Sequence, residues 1–168
     1  MKKNSLFKIG LALVLLSVAA VLFIKFSAAG DSQHEGIYFY DLEEHQIFVA
    51  PKGSIPPIKG IKGADQAGVR AIVICTNGNP ADIKHRQIAY LEKYSPEIKQ
   101  LFEEVRQARA AGHAATRSID RSQLPPNTLV RRLQDTDWHA LNTPEGNNIV
   151  NEWNTPGPDG RLPVVCSP

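Results

Sequence analysis

The chain has 168 residues, of which 42% are hydrophobic and 21% are charged, and its net charge is +2 at pH 7. This composition is typical of an ordinary globular protein and excludes a disordered, collagen-like or disulfide-scaffold chain. Four lysines precede position 27, and without them the chain has 15 basic and 17 acidic residues. The folded part is therefore close to −2, and the net charge gives no general argument for nucleic-acid binding.

The N-terminal segment indicates where the rest of the chain works. Residues 6–26 contain only two charged side chains, and the uninterrupted apolar run 9–24 spans 16 residues. As a helix this run is about 24 Å long, and its lysine flanks extend it to the ~30 Å of a bilayer core. We therefore predict a cytoplasmic stub and transmembrane signal anchor in 1–26, with the lipid bilayer as the partner of residues 6–26. A signal peptide cleaved after 27–29 is the alternative.

The charges that flank the apolar run predict its orientation. Lys2, Lys3 and Lys8 precede the run, and only Lys25 closely follows it. The positive-inside tendency then places the N-terminus in the cytoplasm and residues 31–168 in a bacterial periplasm. We expect a single-pass protein of the inner membrane, and a cleaved signal peptide would leave the folded part in the same compartment.

The remainder divides into a polar tether, 27–35, and one periplasmic domain, 36–168, which ends in a proline-rich tail. Two runs of aromatic and β-branched residues, 37–42 and 46–50, predict a β-hairpin around a short polar turn. The near-continuous apolar run 69–76 predicts a central strand that is buried on both faces.

The second half of the domain alternates helices and strands. Pro80 and Asp82 suit the first turn of a helix, and apolar residues at helical spacing in 88–94 continue it. Ser95, followed by a proline and an apolar stripe, predicts a second helix. A strand is expected over 128–133, and a third helix is expected to begin at Thr143. The order β-β-β-α-α-β-α predicts an α+β fold, with the helices on one face of a small, largely antiparallel sheet.

The chain contains two cysteines, Cys75 and Cys166. In an oxidising compartment we expect them to form one disulfide, which would close a loop of about 90 residues. The functional alternative is a reactive thiol at Cys75. However, a phosphatase-type thiol needs an arginine six residues later, where Ala81 stands, and a thioredoxin-type thiol needs a second cysteine where Gly78 stands. A disulfide is therefore the preferred interpretation.

Familiar catalytic and cofactor motifs are missing from the sequence, which has no GxxxxGKS/T, GxGxxG, GxSxG or HExxH pattern. Glu43 and Glu44 fall in the predicted hairpin turn, where solvated side chains are the norm. We therefore predict a protein that is not an enzyme, with no cofactor and no metal site. The histidines lack the spacing of metal ligands; they are His34, His45, His85, His113 and His139.

One stretch, 105–134, is strongly basic, with six arginines and a single acidic residue, Asp120. The structural interpretation is a solvated helix end and loop. The functional interpretation is a docking surface for anionic lipid headgroups or for an acidic partner. The candidate docking residues are Arg106, Arg109, Arg117, Arg121, Arg131 and Arg132.

Five segments carry a resemblance to other proteins: YFYDLEEHQIFVAPKGSIPPI, GVRAIVICT, YLEKYSPEIK, TPEG and the terminal PVVCSP. Together they resemble small single-pass membrane-anchored proteins of planctomycete-type bacteria. That group has no known activity, so the resemblance implies an anchored extracytoplasmic domain and implies no reaction.

We therefore expect a non-catalytic accessory or structural subunit of a bacterial membrane or envelope complex. Its partners would be other membrane or envelope proteins, and nucleic acid is not expected. One alternative is a periplasmic thiol- or metal-dependent enzyme centred on Cys75. Another is a pseudopilin-like filament subunit, although the anchor lacks the Gly-Phe cleavage motif of that class.

Overall fold

A computed structural model describes residues 36–157 and 159–168. The predicted membrane anchor in 1–26 and the tether in 27–35 lie outside the described residues. Among the helices of the described part, none has the length and apolar character needed to cross a membrane. This part has an α+β fold with an antiparallel sheet of seven strands and three helices, which confirms the predicted α+β class and the antiparallel sheet.

Seven strands form the sheet, and all their pairings are antiparallel. Their order is β2-β1-β3-β4-β5-β6, and β7 pairs with β3. Because β1 pairs with the beginning of β3 and β7 with its end, these two strands share one edge of β3. The strands are β1 (Gly36–Asp41), β2 (Gln46–Pro51), β3 (Gly68–Cys75), β4 (Arg86–Tyr94), β5 (Thr128–Arg131), β6 (His139–Ala140) and β7 (Val164–Val165).

β1 and β2 form the predicted hairpin. Phe39 lies opposite Phe48 at its centre, with the ring centroids 5.8 Å apart. Side chains alternate along a strand, so Tyr38 and Tyr40 lie on the other face from Phe39. Phe39 is fully buried and both tyrosines are half-buried. The hairpin therefore contributes to the packing on both faces of the sheet.

β3 is the central strand, and it is buried on both faces as its apolar run predicts. Val69 and Val73 pack with Leu91 on one face. Ile72 and Ile74 are buried on the other face, where Ile74 has no exposed surface. Burial of whole aliphatic side chains, at about 1.5–3 kcal/mol each, makes this strand the main hydrophobic support of the sheet.

The first predicted helix, over 80–94, is wrong, because its apolar part, 88–94, belongs to β4. The pairing of β4 with β3 shifts register at Ala89, which is the extra residue of a β-bulge. Owing to that extra residue, Ile88 and Leu91 lie on the same face of the sheet as Val73. Apolar residues three apart usually indicate a helix, and here the bulge produces the same spacing in a strand.

The three helices of the described part are α1 (Pro96–Ala110), α2 (Leu124–Asn127) and α3 (Pro144–Asn151). The second and third predicted helices correspond to α1 and α3. The hydroxyl of Ser95 accepts a hydrogen bond from Ile98 N at 3.4 Å, and that of Thr143 accepts from Gly146 N at 3.1 Å. A capping hydroxyl followed by proline satisfies the free N–H groups of a first turn, which explains why both helices begin where they do.

The apolar stripe of α1 is core. Ile98, Leu101 and Val105 are buried and pack with Tyr94 and Phe102, whose ring centroids lie 5.0 Å apart. This cluster attaches α1 to the end of β4 and leaves the polar side of the helix exposed to solvent.

The C-terminal tail is held against the central strand. Val164 lies opposite Cys75, and Cys166 N donates a hydrogen bond to Val73 O at 2.8 Å. Cys75 and Cys166 form the predicted disulfide, with their Cα atoms 6.3 Å apart and a sequence separation of 91. The tail therefore contributes a strand to the sheet as well as a covalent bond.

Candidate functional site

Four of the six candidate arginines are exposed, and we call them together the arginine surface: Arg106, Arg109, Arg117 and Arg121. The first two lie on the C-terminal half of α1, where a cation interacts favourably with the helix dipole. The other two lie in the segment 111–123 that follows the helix. The helix dipole is enough to explain why an arginine occurs at position 109, in the last turn. It does not explain the two arginines that lie beyond the helix.

Few acidic groups neutralise the arginine surface. Glu104 lies 3.6 Å from Arg117 in an exposed ion pair, which contributes little to stability. Asp120 accepts a hydrogen bond from Ser122 N at 2.9 Å, and the hydrogen bonds from Ser122 lower the pKa of this carboxyl. Asp120 is therefore charged at neutral pH, and the surface still carries an excess of positive charge.

Arg131 and Arg132, the remaining two candidates, are half-buried and engaged within the domain. The Arg131 guanidinium lies 5.1 Å from the ring centroid of Trp138 and donates a hydrogen bond to Asp135 O. This distance from the ring is typical of a cation–π contact. The structure therefore gives these two arginines internal contacts and does not bring them into the arginine surface.

Arg132 joins the end of β5 to α3. Its Nε and Nη2 atoms donate to the two carboxylate oxygens of Glu152, each at 2.6 Å, and Nη1 donates to Glu145 at 2.7 Å. A third carboxylate, Asp135, lies 3.2 Å from Nη1. These hydrogen bonds raise the pKa of Arg132 above its usual value, with Glu152 the largest cause. We call this group the Arg132 clamp.

Cys75 has no free thiol in this structure, because it is bonded to Cys166 and is fully buried. Beside it, Asp82 accepts hydrogen bonds from Asn77 Nδ2 and from the His85 ring, each at 2.8 Å. Burial raises the pKa of Asp82, but the bonds from His85, Asn77 and a backbone N–H lower it by more. These polar contacts stabilise the turn between β3 and β4. The thiol chemistry expected of an enzyme at Cys75 would first require reduction of the disulfide.

Sequence reasoning missed a half-buried ion pair between β3 and β4. Arg70 Nη1 donates to Glu92 Oε1 at 3.3 Å, and the Glu92 side chain is only 14% exposed. Burial raises the pKa of Glu92, and the charge of Arg70 opposes that shift. Burial also raises the pKa of the neighbouring Tyr90 and Tyr94. Cross-strand pairing brings these groups together, so no local motif could have indicated them.

Two surface cavities lie near α1 and α3. The first, of about 280 Å³, is lined by Lys93, Tyr94, Lys99 and Glu103 among others, and Lys99 is already paired with Glu103 at 2.7 Å. The second, of about 390 Å³, is lined by Arg132 and two of the carboxylates that bind it, Asp135 and Glu145. In each cavity the structure thus pairs charged side chains of the lining with one another.

Within the described ranges, no three His, Cys, Asp or Glu side chains come together as a metal site requires. Comparisons of the chain with protein-family profiles, with curated proteins and with solved structures found no match. The arginine surface is therefore the candidate site, and it is suited to binding through charge.

Proposed function

We propose that residues 36–168 form the non-catalytic binding domain of an accessory or structural subunit in a bacterial membrane or envelope complex. In this proposal residues 6–26 anchor the chain in the inner membrane, the N-terminus is cytoplasmic and the domain is periplasmic. The observation that carries the proposal is the arginine surface. It has four exposed guanidinium groups, and among the described residues one carboxylate, Glu104, forms an ion pair with them, through Arg117.

The chemistry of this surface favours an acidic segment of a partner protein. Arginine binds carboxylates through two parallel hydrogen bonds, and the guanidinium is always charged. The apolar stripe of α1 is already buried against Tyr94, so the helix presents charged and polar side chains to a partner. Binding through such groups gives specificity and fast association, and it weakens as salt rises.

The test compares two charge-reversal variants of the full chain in affinity purification from native membranes in mild detergent. The first is R106E/R109E/R121E, and the matched control reverses three exposed cations elsewhere, K59E/K84E/R161E. We expect stoichiometric partners, identified by mass spectrometry, to be lost from the arginine variant and kept by the control variant. Partners that persist with the arginine variant, or a wild-type protein that elutes alone, would contradict the proposal.

A further inference from the structure

The outer strand of the sheet, β2, has an edge that pairs with no strand of the described part. The backbone contacts of β1 establish which groups of β2 lie on that edge. Leu42 N donates to Ala67 O, next to β3, at 2.9 Å. Backbone groups alternate in direction along a strand, so Tyr40 also bonds towards β3 and Phe39 bonds towards β2. Phe48, opposite Phe39, therefore bonds to β1.

It follows that Ile47 and Val49 direct their N–H and C=O groups to the open edge. The run of unpaired backbone groups on this edge is limited at both ends. Pro51 has no N–H, and its carbonyl accepts both the N–H and the hydroxyl of Ser54, at 3.0 and 2.7 Å. At the other end His45 has a φ of +54°, which is outside the strand region. The open edge is therefore centred on Phe48.

The side chains on this edge are apolar and exposed. Ile47 and Val49 are 44% and 54% exposed, and they lie on the same face because they are two residues apart. An exposed apolar edge strand is a template for pairing with another strand. The strand is flanked in sequence by two residues of opposite charge, Glu44 before it and Lys52 after it. Each is four positions from Phe48.

We propose that β2 pairs with β2 of a second copy of this chain, antiparallel and with Phe48 on the twofold axis. Ile47 then lies opposite Val49 of the second copy, and each such pair exchanges two backbone hydrogen bonds. The end of β2 that precedes Lys52 then lies near the Glu44 end of the second copy, where Lys62 already contacts Glu44 at 2.7 Å within one chain. A second copy is the occupant because the two ends of β2 are flanked by opposite charges, and antiparallel pairing brings the basic end of each strand to the acidic end of the other.

The proposed interface is small. A strand pair of this length buries less than the ~1,200 Å² that stable complexes usually need, so dimerisation is expected to be reversible and concentration-dependent. It is independent of the arginine surface, and the R106E/R109E/R121E variant should dimerise as the wild type does.

Cysteine cross-linking of the full chain in mild detergent tests both the pairing and its register. The described part has no free cysteine, so introduced thiols report their own neighbours. A mixture of I47C and V49C chains should form a disulfide-linked dimer under mild oxidation, because opposite Cα atoms lie about 5.5 Å apart. Either variant alone should not, since identical residues are diagonal, at about 7–8 Å. I61C, 47% exposed and outside β2, is the control.

Cross-linking of I47C with itself would indicate a different register or a parallel arrangement. Absence of a cross-link in the mixture would mean that β2 does not pair with itself, and either result overturns the proposal. Sedimentation equilibrium gives a second readout. Val49→Lys should weaken self-association by about tenfold or more, because it places like charges close together at the interface. Ile83→Lys, at a position 74% exposed and away from β2, should leave self-association unchanged.

Discussion

Asp41 shows how one buried carboxylate organises a turn and a loop. Its side chain is 1% exposed and accepts hydrogen bonds from Glu43 N at 2.9 Å, Glu44 N at 3.1 Å and Ile61 N at 2.6 Å. Burial raises the pKa of this carboxyl, but the three N–H donors and His45 lower it by more, so its pKa lies below 3.8. The ionised form therefore stabilises the junction of the hairpin with the loop that precedes β3.

Asp41→Asn should lower stability at neutral pH, because an amide offers one acceptor oxygen where three donors converge. The folded pKa is below 3.8, so the contribution of the carboxylate is present above pH 3.8 and is lost as pH falls through the folded pKa. The urea midpoints of wild type and variant should differ at about pH 7, and the difference should shrink as the pH falls below 3.8. Asp65→Asn, at an exposed side chain, is the control. A difference independent of pH would contradict this assignment.

At the scale of elements, α3 depends on a contact outside itself. It has eight residues, and short helices are marginal in isolation. Ile149 buries its side chain completely, and the Arg132 clamp holds Glu145 and Glu152 on either side of it. Apolar burial and a bidentate ion pair therefore act on the same side of the helix. We infer that Arg132 positions α3 on the sheet.

Arg132→Lys should loosen α3 although it keeps the positive charge. Lysine has a single ammonium group and cannot form the two parallel bonds to Glu152 while also reaching Glu145. Hydrogen exchange of the amides in Pro144–Asn151 should become faster, and the melting temperature should fall. Arg109→Lys, at an exposed position of α1, is the matched control. Unchanged exchange in α3 would show that the clamp has no positioning role.

For the molecule as a whole, the disulfide connects the central strand to the end of the chain. Cys75 and Cys166 are separated by 91 positions, and between them lie β4 to β7 and all three helices of the described part. A crosslink that closes so long a loop reduces the conformational entropy of the unfolded chain. The tail itself adds only the short strand β7, so the covalent bond is the main constraint on it.

The double variant Cys75→Ala/Cys166→Ala should lower the free energy of unfolding by about 3–5 kcal/mol. Denaturant unfolding measured by circular dichroism gives this difference. Wild-type protein treated with a reductant in denaturant should refold to the stability of the double variant, and thiol titration of the untreated unfolded chain should detect no free thiol. A change below about 1 kcal/mol would mean that the unfolded chain is already compact in the absence of the crosslink.

Much of the fold could be predicted because its signals are local. The hairpin of β1 and β2 follows from alternating side chains in 37–50, and β3 follows from a continuous apolar run. The starts of α1 and α3 follow from Ser95 and Thr143, each a capping residue followed by proline. Such patterns act over a few residues, so they can be identified without knowing what the segment packs against. The disulfide could also be predicted, because the chain has only two cysteines.

The sequence by itself therefore determined the α+β class, the hairpin, the central strand, the starts of α1 and α3 and the cysteine pair. Tertiary structure alone decided that 88–94 forms a strand, because the bulge at Ala89 exists only in the pairing with β3. It also decided that Arg132 binds Glu145 and Glu152, and so separated the Arg132 clamp from the arginine surface. The physical reason is the same in both cases: pairing and charge contacts between distant segments depend on where the chain folds back, which no short pattern encodes.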